Sequence, residues 1–231
     1  MFVNHFLDLE WKLFNNQFKP DYNCDYIFKV TCHKFYDTIK YLYAQILSAE
    51  EIDRSKRFRQ SADAKLYICS RYSLRKILSI FLGIHPQEII FEFGWNKKPK
   101  VTGVEFNISH SGDLVLLAVS KTPIGVDLEQ VSRPFSSDFI SKNIFSTHEL
   151  AVINHTILNS YLCYELWTRK EAILKATGEG LIDDLYEIDV LANKITRFDK
   201  TFKLFSFSVN EMYVACFASS SINQIKFFDY Q

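Results

Sequence analysis

The sequence predicts an α+β protein of two similar halves, each a small antiparallel sheet packed with one long helix. Two observations predict it. In both halves of the 231 residues, helix-type patterns come first, then one long helix, then about three short strand-type runs. The strand-type runs are separated by short turns, which favours antiparallel pairing with helices on one side. A break near Lys121–Pro123 divides the chain into 1–121 and 122–231.

The elements follow in order. YIFKVTC at 26–32 alternates like a strand, and 35–47 has helical spacing. Ser61 to Leu82 is the clearest helix. Ser61 suits its N-cap, Asp63 its first turn, and Leu66, Leu74, Ile77, Leu78 and Phe81 one face. Gly83 and Pro86 end it. Strand-type runs follow at 88–93, 104–109, 114–120 and 124–129. In the second half, helices are expected at 146–156 and 160–177, the latter stopped by Gly178, and strands at 186–191, 202–209 and 212–218.

Composition excludes several classes. With 48% hydrophobic and 16% aromatic residues the chain is too apolar for disorder, and seven Gly with five Pro exclude collagen-like or linker-dominated chains. Twenty-seven basic residues balance 27 acidic ones, so no global field is present to hold nucleic acid or an anionic membrane. Charge is instead segregated. Asp53 to Lys76 carries eight basic residues against two acidic, and Phe145 to Val190 eight acidic against three basic. Five widely spaced cysteines without a CxxC pair argue against a disulfide framework or a structural zinc site, and for reduced thiols in the cytoplasm. The start, MFVNHFLDLEWKLF, has early acidic residues and no basic leader, so no secretory signal is expected. The uncharged run Ala151–Tyr164 has 14 residues, too short and too polar for a membrane span.

Four features carry potential chemistry. In WTRKEAILKATG (167–178), a helical wheel puts Lys170, Glu171 and Lys175 on one face with Trp167 and Leu174. That face either lines a cleft or simply exposes a Glu171–Lys175 pair one turn apart. In GVDLE (125–129), Asp127 and Glu129 share one strand face. They either hold a cation such as Mg²⁺, which takes such oxygens and bridges phosphates, or lie on a solvated strand edge. NISHSG (107–112) ends a strand at Ser109 and turns through His110, Ser111 and Gly112. The turn offers N–H groups, hydroxyls and an imidazole to a phosphate, or is merely exposed. The basic residues Arg54, Lys56, Arg57, Arg59, Arg71, Arg75, Lys97, Lys98 and Lys100 either bind several phosphates or solvate the surface.

Taken together, NISHSG, GVDLE, FSTHE (145–149) and WTRKEAILKATGEGL (167–181), in that order and spacing, resemble the 4′-phosphopantetheinyl transferases, specifically the long surfactin-type branch. RFRQSADAKLYICSRYSLRKIL (57–78) is similar to the family's upstream helix, and NKKPK (96–100) to its GKP segment. The resemblance covers roughly 50–218. It implies an enzyme that moves the phosphopantetheine arm of coenzyme A onto a serine of an acyl or peptidyl carrier protein and releases 3′,5′-ADP. Fatty-acid, polyketide and nonribosomal-peptide carriers are all open. It also implies a pseudo-dimer of two α+β halves in one monomeric, cytoplasmic chain, with coenzyme A between them and Mg²⁺ or Mn²⁺ as cofactor. No nucleic acid and no membrane is expected as partner.

By the same resemblance, Asp127, Glu129 and Glu171 are metal ligands, and Glu171 is also the candidate base. Lys170 and Lys175 face the phosphates. Ser109 and His110 hold the 3′-phosphoadenosine end, and Lys98, Arg54 and Arg75 are further phosphate contacts. NKKPK has a Lys where the family has Gly, and Glu51 falls near a position that is basic in the family. Two other readings use the same residues: a Mg²⁺-dependent nuclease, and a coenzyme A or carrier-protein binder without turnover.

Overall fold

A computed structural model describes residues 9–15, 17–94, 98–131, 144–156, 159–221 and 223–231. Two compact units emerge. One comprises Glu10–Lys121 together with Asn223–Gln231; the other is built on Thr122–Ile222. The expected second half thus gives up its last nine residues to the first.

The first unit contains β1 (Lys12–Leu13), β2 (Cys24–Thr31), α1 (Cys32–Ile39), α2 (Ala49–Ser55), α3 (Ser61–Leu82), β3 (Glu92–Phe93), β4 (Pro99–Lys100), β5 (Glu105–Ser111) and β6 (Leu114–Ser120). The second contains β7 (Ile124–Gln130), α4 (Thr147–Asn154), α5 (Asn159–Thr177), β8 (Lys194–Arg197), β9 (Lys200–Asn210) and β10 (Tyr213–Ser219). A last strand, β11 (Gln224–Asp229), returns to the first unit.

The first unit's main sheet has the order β1-β11-β2-β6-β5. It is mixed rather than antiparallel, because β11 runs parallel to both β2 and β1. A strand arriving from far along the chain is not bound by a hairpin's reversal. β6 lies between β2 and β5 and is buried along its whole length, as its apolar LVLLAVS sequence suits. α3 packs Ile68, Leu74, Ile77, Leu78 and Phe81 into the core with Phe28, Val30 and Val119. It begins at Ser61, but Gln60 is the N-cap, so the serine is the first helical residue. Gly83 closes the helix in the left-handed region, with φ 68°, and donates to the Ser79 carbonyl. The helix expected at 35–47 is α1 followed by a single 3₁₀ turn, and 88–93 supplies only the two-residue β3.

The second unit's sheet, β7-β10-β9-β8, is antiparallel throughout. α5 lies on β7 at very close range. A Cβ placed on Gly125 would overlap the carbonyl oxygen of Ala172 and lie 2.5 Å from the Ala176 amide nitrogen. Only glycine lets strand and helix backbones meet there. The strand expected at 186–191 is a single 3₁₀ turn at Leu185–Glu187.

That turn serves α5. Ser146 caps α4 in a capping box with Glu149: Ser146 N–H donates to Glu149 Oε2 at 2.7 Å, and Glu149 N–H to Ser146 Oγ at 3.1 Å. Lys170 Nζ meets the same Oε2 at 2.8 Å and donates to the carbonyls of Leu185 and Ile188. Val190 N–H donates to Glu149 Oε1 at 2.9 Å. Both charged side chains are 0% exposed. Burial pulls the Lys170 ammonium below its usual range, while Glu149 opposes this. Lys170 is therefore an internal strut between α4, α5 and the 185–190 turn, and the expectation that it faces phosphates is corrected.

Removing one partner of a buried pair strands the other charge, at a typical cost of about 3–5 kcal/mol. Lys170→Met and Glu149→Leu are each expected to destabilise the protein by that amount in chemical denaturation. The double variant should lose less than the sum.

Candidate active site

The second unit gathers the acidic candidates. Asp127 and Glu129 alternate onto the face of β7 beneath α5. Residues 167, 171 and 175 of α5 recur every four positions and bring Trp167, Glu171 and Lys175 to that strand. Lys175 Nζ lies 2.5 Å from Asp127 Oδ1, and Trp167 Nε1 donates to Glu129 Oε1 at 3.3 Å. Asp127 is buried, and the Lys175 side chain keeps 28% of its surface exposed. Lys170 is about 140° around the helix from Lys175 and takes no part.

Glu171 experiences this grouping directly. Burial pushes its carboxyl above the ordinary range, Asp127 and Glu129 add to the rise, and Lys175 opposes it. Its Oε1 is buried and makes no hydrogen bond. Three hard oxygen donors, one of them an orphaned buried oxygen, fit a divalent cation such as Mg²⁺. Among the described residues, however, no three such side chains are drawn into a single metal-holding cluster. The ammonium of Lys175 supplies the positive charge on Asp127 instead.

The first unit holds a cavity of ≈ 770 Å³ between α2, α3 and β5. Arg54, Arg71 and His110 line it, with Phe58, Tyr67 and Phe91 as aromatic walls. His110 reaches it because β5 continues two residues past the expected end, to Ser111. The turn is only Gly112–Asp113, with Gly112 at φ 54°, since Ser111 pairs with Leu114. Strand alternation buries Ser109 on the other face, so the expected Ser109–His110 pair is split and only His110 meets the cavity.

The arginines are also sorted. Arg75 is 4% exposed, donates to the Pro86 and Ile89 carbonyls, and pairs through Nε with Glu51 Oε2 at 2.6 Å. It is thus a wall support and not a free phosphate contact. Arg71 takes the other oxygen, Oε1, at 2.6 Å and lies over the Phe91 ring. Burial raises the Glu51 carboxyl, but Arg71 and Arg75 outweigh it and hold it below the usual range. Arg54 lies 5.3 Å from the Tyr67 ring centre. Lys98 is half-buried and outside the cavity lining, and Lys97 lies outside the described residues. The sequence reading missed Tyr67 and Phe91, because no motif marks an aromatic wall. It also gave no sign that Glu51 would clamp two arginines.

Two family profiles match the chain in tandem. The one described as 4′-phosphopantetheinyl transferase, N-terminal, covers 37–122, and the one described as 4′-phosphopantetheinyl transferase superfamily covers 123–218. This chain belongs to that superfamily. A Nostoc 4′-phosphopantetheinyl transferase is 33% identical over 156 residues, 64% of this chain and 65% of that protein. A Bacillus subtilis 4′-phosphopantetheinyl transferase is 33% identical over 140 residues, 58% of this chain and 62% of that one. A Synechocystis protein described as such a transferase is 33% identical over 155 residues, 63% of each chain. The chain spans just under two thirds of the length of these relatives.

The position of Glu171 makes a signed prediction. A carboxyl raised by folding favours the protonated folded state, so the ionised form burdens the fold as pH rises through the folded value. In EDTA, Glu171→Gln should melt above wild type at pH 7, and the gap should close as pH falls toward the ordinary carboxylate range. A variant that melts below wild type at pH 7 would contradict this.

Proposed function

We propose that this chain transfers the 4′-phosphopantetheine group of coenzyme A to a serine hydroxyl of an acyl or peptidyl carrier protein. The observation that carries the proposal is the grouping of Asp127, Glu129, Glu171 and Lys175 on β7 and α5. These are the residues on which the family resemblance falls.

Asp127, Glu129 and Glu171 are the residues to hold Mg²⁺, or Mn²⁺, which when bound supplies charge stabilisation to the diphosphate oxygens. Glu171, with its raised affinity for a proton, accepts the proton of the carrier serine. The serine oxygen bonds to the β-phosphorus, the bridging P–O bond breaks, and 3′,5′-ADP leaves with that electron pair. Lys175 donates to the phosphate oxygens on which charge collects. His110 and Arg54, on the wall of the ≈ 770 Å³ cavity, take the 3′-phosphate end, with Phe58, Tyr67 and Phe91 offering ring faces. Lys170, Ser109 and Arg75 serve by holding these elements in place. We take the chain to be a monomer that works in the cytoplasm on carrier proteins, with no role for nucleic acid or membrane. Its formal net charge is zero, which gives no global field to hold a polyanion. Among the described residues no helix is long and apolar enough to cross a membrane.

Mass spectrometry of apo carrier protein incubated with the chain, coenzyme A and Mg²⁺ tests the proposal. The expected result is a gain of one phosphopantetheine mass that EDTA abolishes. Asp127→Ala and Glu171→Gln should reduce the rate by about 10²-fold or more. No gain on any acyl or peptidyl carrier would contradict the proposal. His110→Ala should weaken binding of coenzyme A more than that of 3′-dephospho-coenzyme A, and equal weakening would reject its 3′-phosphate role.

A further inference from the structure

We infer that Lys175 is the resident counter-ion of the carboxylate site and competes with a divalent cation for Asp127. The inference rests on the metal-dependent transfer proposed above and concerns how that site is regulated.

Three observations carry it. First, the Lys175 ammonium sits 2.5 Å from Asp127 Oδ1, on a carboxylate that is itself buried. A Mg²⁺ ion seeks the same carboxylate at about 2.0–2.1 Å, so the ammonium already seated on Oδ1 opposes its charge there. Second, Asp127, Glu129 and Glu171 are near enough to act on one another's charge, yet no three-ligand cluster forms among the described residues. Asp127 is turned to the lysine. Third, the Lys175 side chain is 28% exposed, and its four-carbon stem can swing while its backbone stays fixed in α5. Lys170, fully buried and tied to Glu149, has no such freedom.

Releasing Asp127 leaves the ammonium in need of an anion. The diphosphate of the substrate is that anion. Cation and diphosphate therefore assist one another: the cation frees Lys175 for the phosphates, and the phosphates draw Lys175 away from Asp127. Such coupling typically spans about 5–150-fold in affinity. Its effect is a site that resists a divalent cation until the substrate arrives.

Isothermal titration of Mg²⁺ into the full chain, with and without saturating coenzyme A, tests this for wild type, Lys175→Gln and Lys175→Arg. Without coenzyme A, Lys175→Gln should bind Mg²⁺ about tenfold or more tightly than wild type, and coenzyme A should enhance its affinity about tenfold less. Lys175→Arg keeps the cation on Asp127 and should stay as weak as wild type. An unchanged or weaker Mg²⁺ affinity in Lys175→Gln overturns the inference, as does an Arg variant as tight as the Gln variant. If wild type takes up Mg²⁺ with coenzyme A but the Gln variant behaves identically, this inference alone fails. If wild type takes up no Mg²⁺ even with coenzyme A, the metal reading fails and the inference with it.

Discussion

Strand β7 and helix α5 meet backbone to backbone at Gly125, and the candidate site depends on that contact. Any side chain there would collide with the main chain of Ala172 and Ala176. Because the two backbones touch, side chains two and four residues further along the strand fall under those one turn apart on the helix. Asp127 reaches Lys175, and Glu171 comes within the field of both strand carboxylates. Three acids gathered on adjacent elements, Asp127 buried and Glu129 and Glu171 partly so, are costly to hold together. The fold accepts this cost locally, with Lys175 as partial compensation and one Glu171 oxygen left without a hydrogen bond. Such unmet demand for positive charge is what a cation and a diphosphate can relieve.

The opposite side of α5 is held as firmly. Lys170 joins Glu149 and two backbone carbonyls. Arg169 donates to the Val190 carbonyl at 2.6 Å and the Ala192 carbonyl at 2.7 Å, and its NH1 reaches Ser206 Oγ at 3.1 Å. Two consecutive cations therefore fasten the helix to the 185–193 segment and to β9. With the helix fixed on that side, the Glu171–Lys175 side is presented to β7 in one register. Glu149, whose role the motif alone leaves open, is the centre of this fastening.

What the sequence made legible was mostly local. α3 ends where Gly83 permits a left-handed residue, and α5 ends at Gly178 for the same reason. Spacing alone left the roles of Asp127, Glu129, Glu171, Lys175 and His110 open, and it was the family resemblance of the four motifs that proposed a metal and phosphates for them. Non-local pairing was not legible. QIKFFD forms β11 only because β2 and β1 offer parallel edges almost a chain length away. The helical wheel set Lys170 beside Glu171, since it carries no information that a buried Glu149 lies 21 residues earlier. Likewise a count of basic residues could not separate Arg54 from Arg75: both line the cavity, but Glu51 already answers the charge of Arg75. The strand through NISHS ran on to Ser111 because Gly112 and Asp113 alone suffice for the turn.

The dependence of the site on the Gly125 contact is measurable with Mn²⁺ as a probe, by electron paramagnetic resonance in the presence of coenzyme A. Asp127→Ala marks complete loss of the site. Gly125→Ala, while still unfolding cooperatively, is expected to bind Mn²⁺ at least about tenfold more weakly than wild type, since loss of the groups that orient metal ligands typically costs about 10–100-fold in affinity. A folded Gly125→Ala that binds Mn²⁺ as tightly as wild type would contradict it.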